Sequence, residues 1–237
     1  MTHQSPRLYL FPVPLAEGAP ADVLPARNLE LLKQIRYFAV ENLRSARRFL
    51  RAVSHDIVID ELSLVELNEH TDPADVAAML APMQEGHDMG VISEAGCPAV
   101  ADPGADLVAV AQRRGYEVVP LVGPSSILMS LMGSGFNGQS FTFLGYLPVE
   151  AGRRNAMLRE IERDIRRNRR TQIFIETPYR NNRLIDELVR ALPGDMLLCV
   201  ASDITGPRQS IVTAPLSRWA KGGYDYSKIP TIFLLYS

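Results

Sequence analysis

Four short segments, each following an apolar run, carry residue types that let a ligand approach the main chain. The first is Pro12-Val13-Pro14, a rigid turn with no N–H donor at either proline. The second runs Ser93-Glu94-Ala95-Gly96-Cys97-Pro98 and on to Asp102-Pro103-Gly104. Its small side chains admit a ligand to the backbone, and the helix start beyond it offers unpaired N–H groups to an anion such as a carboxylate. The third, Gly123-Pro124-Ser125-Ser126, puts a glycine and two hydroxyls at a helix N-terminus. The fourth comprises Leu144-Gly145-Tyr146-Leu147-Pro148 and Glu176-Thr177-Pro178-Tyr179-Arg180. Each of these can equally be a turn or a helix cap, so composition alone leaves both readings open.

The elements around them decide whether they can act together. Apolar runs at residues 8–13, 37–40, 89–93 and 117–121 read as strands. They alternate with helical spacing at 25–35 (Leu29, Leu32, Ile35) and 45–53, and with helices from Asp72-Pro73 to Glu85 and from Asp102-Pro103 to Arg114. One or two short strands are expected within 58–67. This alternation predicts an α/β domain with a mostly parallel sheet. In such a sheet ligands bind beyond the carboxyl ends of the strands, where the first three segments fall.

A second α/β domain follows. A Leu- and Met-rich helix opens at Gly123, followed by a strand at 141–144, an Arg-rich helix at 151–167 and a strand at 172–176. Then come a helix at 181–192 and strands at 196–201, 210–213 and 231–236. The last strands read as hairpin-like, which predicts a mixed sheet. The expected domains are 1–122 and 123–237.

Composition sets the class. The chain has 237 residues, 46% hydrophobic and 22% charged, with net charge -2, proportions of a globular protein that exclude disorder and fibre. No apolar run approaches the roughly 18 residues of a membrane span, and the first residues lack a signal peptide's apolar stretch. A cytoplasmic protein without a membrane partner is expected. Cys97 and Cys199 form no C-x-x-C pair, so neither a disulfide framework nor a metal site is expected.

The near-neutral total hides an asymmetry. Residues 54–112 hold twelve Asp and Glu and no Lys or Arg, whereas residues 153–170 hold eight Arg against Glu160, Glu162 and Asp164. The basic window suits a phosphate backbone, and it suits equally a solvated helix face braced by i,i+4 pairs.

Nucleotide and hydrolase signatures are missing: there is no G-x-G-x-x-G after a strand, no G-x-x-x-x-G-K-[ST], no H-E-x-x-H and no G-x-S-x-G. Taken in order, the four segments instead resemble the tetrapyrrole methylase superfamily of S-adenosylmethionine-dependent methyltransferases, most closely its ribosomal RNA small subunit methyltransferase I branch. That branch reads S-D-A-G-T-P-x-I-S-D-P-G, V-P-L-P-G-P-S-A, F-x-G-F-L-P and F-x-E-S-P-x-R. Here the matching stretches are SEAGCPAVADPG at 93–104, VPLVGPSS at 119–126, FLGYLP at 143–148 and FIETPYR at 174–180.

The resemblance implies two α/β domains with S-adenosylmethionine in the cleft between them, no metal, and a homodimer. It carries donor binding onto Ser93, Ala95, Gly96 and Pro98, onto Pro124, Ser125 and Ser126, onto Leu144, and more loosely onto Pro12 and Pro14. The chain departs from the branch after its first strand, at Val40-Glu41-Asn42-Leu43-Arg44, and at Ser202-Asp203-Ile204-Thr205-Gly206. Three readings follow from the resemblance and these departures. One is a methyltransferase of ribosomal RNA, gripping it through residues 153–170; another acts on a small tetrapyrrole-like acceptor; the third is a non-catalytic donor-binding module. Methyl transfer from a sulfonium is an in-line displacement that rests mainly on alignment. Glu41, Glu69, His70 and Asp203 are the carboxylates and imidazole that could serve as general base.

Overall fold

The apolar run after Arg7 becomes the strand β1 (Arg7–Phe11), buried along nearly its whole length in a computed structural model that describes residues 5–237. The chain divides into two units, residues 1–125 and 126–237.

In the first unit, β1 is followed by α1 (Ala26–Gln34), β2 (Tyr37–Val40), α2 (Leu43–Val53) and β3 (Ser63–Glu66). The short helices α3 (Pro73–Val76) and α4 (Ala81–Gln84), then β4 (Met89–Ile92), α5 (Gly104–Arg113) and β5 (Glu117–Pro120) complete it. The sheet order is β3-β2-β4-β1-β5, and every pairing is parallel. Helices must therefore cover both faces. On one face Phe11, Leu32, Phe38, Phe49 and Leu50 pack under α1 and α2. On the other, Leu8, Leu10, Leu80, Met83 and Leu107 pack under α3 to α5. Gly90 in β4 is required by this packing, since a Cβ there would lie 2.5 Å from the Phe38 ring and 2.9 Å from that of Phe11.

One expected element differs, and another is narrowed. Asp72 does cap a helix, its Oδ1 accepting from the N–H of Ala74 at 2.8 Å. The helix then breaks into α3, a 3-10 turn (Ala78–Leu80) and α4, because the Pro82 ring has no N–H to donate to the preceding turn and clashes with it. Within 58–67 only β3 is a strand, preceded by a 3-10 turn at Ile59–Glu61.

The second unit begins with α6 (Ser126–Ser134) and β6 (Phe141–Tyr146), then α7 (Ala151–Asn168), β7 (Thr171–Ile175) and α8 (Asn181–Ala191). It ends with β8 (Leu197–Ser202), β9 (Ser210–Pro215), the short helix α9 (Leu216–Trp219) and β10 (Thr231–Tyr236). The sheet order is β6-β7-β10-β8-β9. Only β6 and β7 run parallel; β10 is antiparallel to both β7 and β8, and β8 to β9. The sheet is mixed, as the sequence predicts.

One face of this sheet carries α7, α8 and α9 over a core of Leu158, Ile165, Phe174, Leu188 and Phe233. Successive residues of a strand point to opposite faces, so β9 sends Val212 and Ala214 into that core and Ile211 and Thr213 toward α6. A Cβ on Gly133 would lie 2.6 Å from Ile211, and the Thr213 hydroxyl donates to the Ser134 carbonyl at 2.9 Å. Helix α7 starts at a capping carboxylate, with Glu150 accepting from the N–H groups of Gly152 and Arg153 at 2.7 and 2.9 Å. Among the described residues no helix is long and apolar enough to cross a membrane.

Candidate active site

Parallel pairing brings the ends of β1, β2, β4 and β5 to one edge of the first sheet, so the segments that leave them meet there. Val13 and Gly96 exchange two backbone hydrogen bonds, each 2.9 Å, which joins the first and second segments. Gly96 adopts φ +73°, and a Cβ on it would approach Leu15 at 3.1 Å and the Pro124 carbonyl at 3.7 Å. The Cys97 thiol donates to that same carbonyl at 3.4 Å. Pro12 packs so closely on the third segment that a Cβ on Gly123 would lie 2.2 Å from its own. The third segment is held from below by Asn28 of α1, whose Nδ2 donates to the Val122 carbonyl at 2.8 Å.

The second segment is also braced internally. Asp102 Oδ1 accepts from Ala99 N–H at 3.0 Å and Gly104 N–H at 2.7 Å, pinning a loop in which Ala99 and Ala101 hold φ of 65° and 56°. Such left-handed conformations cost a non-glycine residue about 1–2 kcal/mol and need fixing by their surroundings. Ser93 is buried, with its hydroxyl 3.4 Å from the Ala95 carbonyl. Gly96 and Pro98 are buried, Pro14 is half-buried, and Ala95 is exposed at the rim.

The four candidate bases meet different fates. The Glu41 carboxylate accepts from the N–H of Glu94 at 2.8 Å, so it positions the second segment from the end of β2. Burial pushes its pKa up, the Glu94 N–H opposes that, and the nearby Asp102 and Glu94 carboxylates add to the rise. Glu94 is exposed at the same edge and accepts from the Ser45 hydroxyl at 3.2 Å. Asp203 organises the turn between β8 and β9: its Oδ2 accepts from Arg208 N–H and its carbonyl from Gly206 N–H, both at 2.8 Å. Glu69 and His70 lie beyond the edge strand β3, exposed and 3.6 Å from each other. Of Glu41, Glu69 and His70, all in the first unit, only Glu41 is brought to the segments that bridge at Val13 and Gly96. Burial raises the Cys97 thiol, which keeps it a protonated packing group.

Of the remaining expected residues, Ser126 opens α6 and Leu144 lies on β6, half-buried against the core of the second unit. Glu176 is buried; its Oε1 accepts from Thr177 N–H at 2.7 Å and its Oε2 pairs with Arg180 at 3.0 Å. Sequence reasoning missed Asn28 and the second bond of Asp102, accepted from Ala99 N–H. Asn28 left one signal, a polar residue one helical turn before the buried Leu32. Among the described residues no three His, Cys, Asp or Glu side chains are grouped to hold a metal ion.

A parallel sheet with turns joined at its carboxyl edge, followed by a mixed-sheet unit, defines a two-unit α/β protein with a candidate site of backbone groups. The chain belongs to the tetrapyrrole (corrin/porphyrin) methylase family, whose model matches residues 18–220, and is accordingly a methyltransferase. It is 32% identical over 222 residues to the ribosomal RNA small subunit methyltransferase I of Mycobacterium bovis, covering 92% of this chain and 74% of that protein. The protein of the same name from Escherichia coli O157:H7 is 29% identical over 218 residues, covering 91% and 72%. Among solved structures, uroporphyrin-III C-methyltransferase from Thermus thermophilus, complexed with S-adenosyl homocysteine, superimposes with a TM-score of 0.58 at 20% identity, over 98% of this chain and 97% of that one.

Proposed function

We propose that the chain transfers a methyl group from S-adenosylmethionine to a ribose 2'-hydroxyl of small-subunit ribosomal RNA. The observation that carries the donor half is the fusion of three turns into one hydrogen-bonded edge through Val13, Gly96, Cys97 and Pro124. Donor contacts fall on Pro12, Pro14, Ser93, Ala95, Gly96, Pro98, Pro124 and Ser125 in the first unit. The residues fit the group: Ala95 is small and exposed beside the buried Gly96, and the Glu41 and Glu94 carboxylates suit a sulfonium cation. S-adenosylmethionine supplies the methyl. The chain's own task is to hold donor and hydroxyl in line and exclude water, while the hydroxyl proton leaves to a base or to solvent.

The acceptor half is supported by the ribosomal RNA enzymes that the chain resembles over about nine-tenths of its length, and by α7. Its arginines 153, 163 and 166, and Arg170 just beyond it, face carboxylates at 4.0 Å or less, while Arg159 and Arg167 are exposed and suit phosphate contacts. The same reading includes a homodimer, which sedimentation equilibrium tests.

The deciding experiment is tritiated-methyl transfer to ribosomal subunits from a strain lacking this protein. Label is expected in small-subunit RNA, at a nucleotide whose 3' phosphodiester resists alkali because its 2'-oxygen is blocked. Label confined to a metabolite extract would move the acceptor to a small molecule. Label nowhere, with S-adenosylmethionine bound, would leave a donor-binding module.

A further inference from the structure

The second unit contains a pocket that the methyl-transfer reading does not use. It lies on the helix-covered face of the mixed sheet, where the chain leaves α9 and returns toward β10, and encloses about 300 Å³, the lower end of the range for small-ligand sites. Its walls are aromatic. Trp219, Tyr224 and Tyr226 stand with ring centroids 5.6 to 6.3 Å apart, and the two tyrosine rings are tilted only 23° from each other. Its rim is cationic and bare: Arg218 and Lys221 are exposed, and next to them Gly222 and Gly223 adopt φ of 70° and 85° with nothing within 4 Å of where a Cβ would sit.

Packing alone does not account for how firmly this wall is held. Trp219 Nε1 donates to the Leu198 carbonyl at 3.2 Å. The Tyr224 hydroxyl donates to Asp186 at 2.7 Å, and Asn182 Oδ1 accepts from Tyr226 N–H at 2.8 Å. The buried Asn181 donates to the carbonyls of Tyr226 and Ile229 at 3.0 and 2.8 Å. Three residues of α8 thus fix two tyrosines that stay half-buried beside the buried Trp219. A pre-set aromatic surface with cations at its lip is the chemistry that stacks an unpaired base and holds its phosphate, and fixing it beforehand lowers the cost of binding.

We propose that this pocket is a subsite for one unstacked nucleobase of single-stranded RNA, with Arg218 and Lys221 contacting the flanking phosphates. The inference rests on the proposed RNA acceptor and adds a binding subsite to it.

Trp219 is the only tryptophan in the chain, so its emission reports on the pocket. The test is a fluorescence titration of the full chain with an oligoadenylate octamer. Saturable quenching is expected, with affinity falling roughly tenfold in Tyr226→Leu, the order of one lost base stack. Gly223→Asn tolerates the left-handed backbone and places a side chain at the open lip, so it should weaken binding without touching the core. Arg218→Ala with Lys221→Ala should reduce the salt dependence by about 1.4 log units per decade, the value for two phosphates of a single strand. The subsite is refuted if the octamer fails to bind, binds without changing Trp219 emission, or binds Gly223→Asn and Tyr226→Leu as tightly as the parent. Equal quenching by heparin or by duplex RNA refutes it too, since charge or groove shape would then suffice. Ribosomal subunits methylated by a chain whose Trp219 ignores the octamer would refute the subsite and spare the function. Quenching by the octamer without subunit methylation would do the reverse.

Discussion

Val13 and Gly96 are bound back to back, each donating its N–H to the other's carbonyl at 2.9 Å. The turn after the first strand and the turn after the fourth are therefore a single piece, and neither can move without the other. Gly96 makes this possible because its φ of +73° is the left-handed value that a side chain resists.

Gly96→Ala tests that coupling. The left-handed backbone costs alanine about 1–2 kcal/mol, and its methyl meets Leu15 at 3.1 Å. Lower stability in urea is expected, together with weaker S-adenosylmethionine binding by isothermal titration. Affinity equal to the parent would separate this bridge from donor binding.

Glu41 gives a pH signature. Its pKa is raised in the folded chain, chiefly by burial, so the folded form keeps the proton to higher pH than the unfolded form. The stability tied to neutral Glu41 is full below the unfolded value, about 4.3, and is lost as pH rises through the folded value. Glu41→Gln keeps an acceptor for the Glu94 N–H and never ionises. Its stability relative to the parent should grow as pH rises above the unfolded value and through the folded one, measured as the difference in urea midpoints. A gap that stays constant across this window would show that burial does not act on Glu41.

Gly123→Ala should be worse tolerated than its half-buried position suggests. The added methyl would fall 2.2 Å from Pro12 Cβ, and neither a proline ring nor its backbone yields easily. A loss of about 1–3 kcal/mol is expected from the overpacking, and an unchanged denaturation midpoint would mean that the two turns are not in contact.

Arg154 is the one arginine of α7 that serves the fold. It is 4% exposed, donates to the Pro148 and Val149 carbonyls at 2.7 and 3.2 Å, and pairs with Glu187. Arg154→Met strands those acceptors, although Glu187 keeps Arg183 at 2.8 Å. About 2–3 kcal/mol should be lost, against a near-zero effect for Arg167→Met on the solvent face. Equal urea midpoints for the two variants would contradict the assignment.

What the sequence shows is what local spacing encodes. The strand at 37–40 and the helix starting at Asn181 stand where alternation and helical period put them. The turns at the sheet edge were legible because glycine and proline are needed wherever backbone is laid bare or fixed. The braces that hold those turns were not legible, because Asn28 meets Val122 and Glu41 meets Glu94 only after the sheet has formed. Asp203 carries a structural part that its charge did not announce: its carboxylate and carbonyl hold the turn that contains Gly206 and Arg208. The helix expected from 73 to 85 failed for a local reason, Pro82, and α9 escaped notice because four residues give no period to read.

The strand order of the second unit has a consequence for how the protein is made. The final strand, β10, is inserted between β7 and β8, so the middle of that sheet is missing until residue 236 has been synthesised. All five strands of the parallel sheet are present by residue 120, and that unit can fold while synthesis continues. The other half must wait with its two flanks unjoined, exposing unsatisfied edges to chaperones and to neighbouring nascent chains.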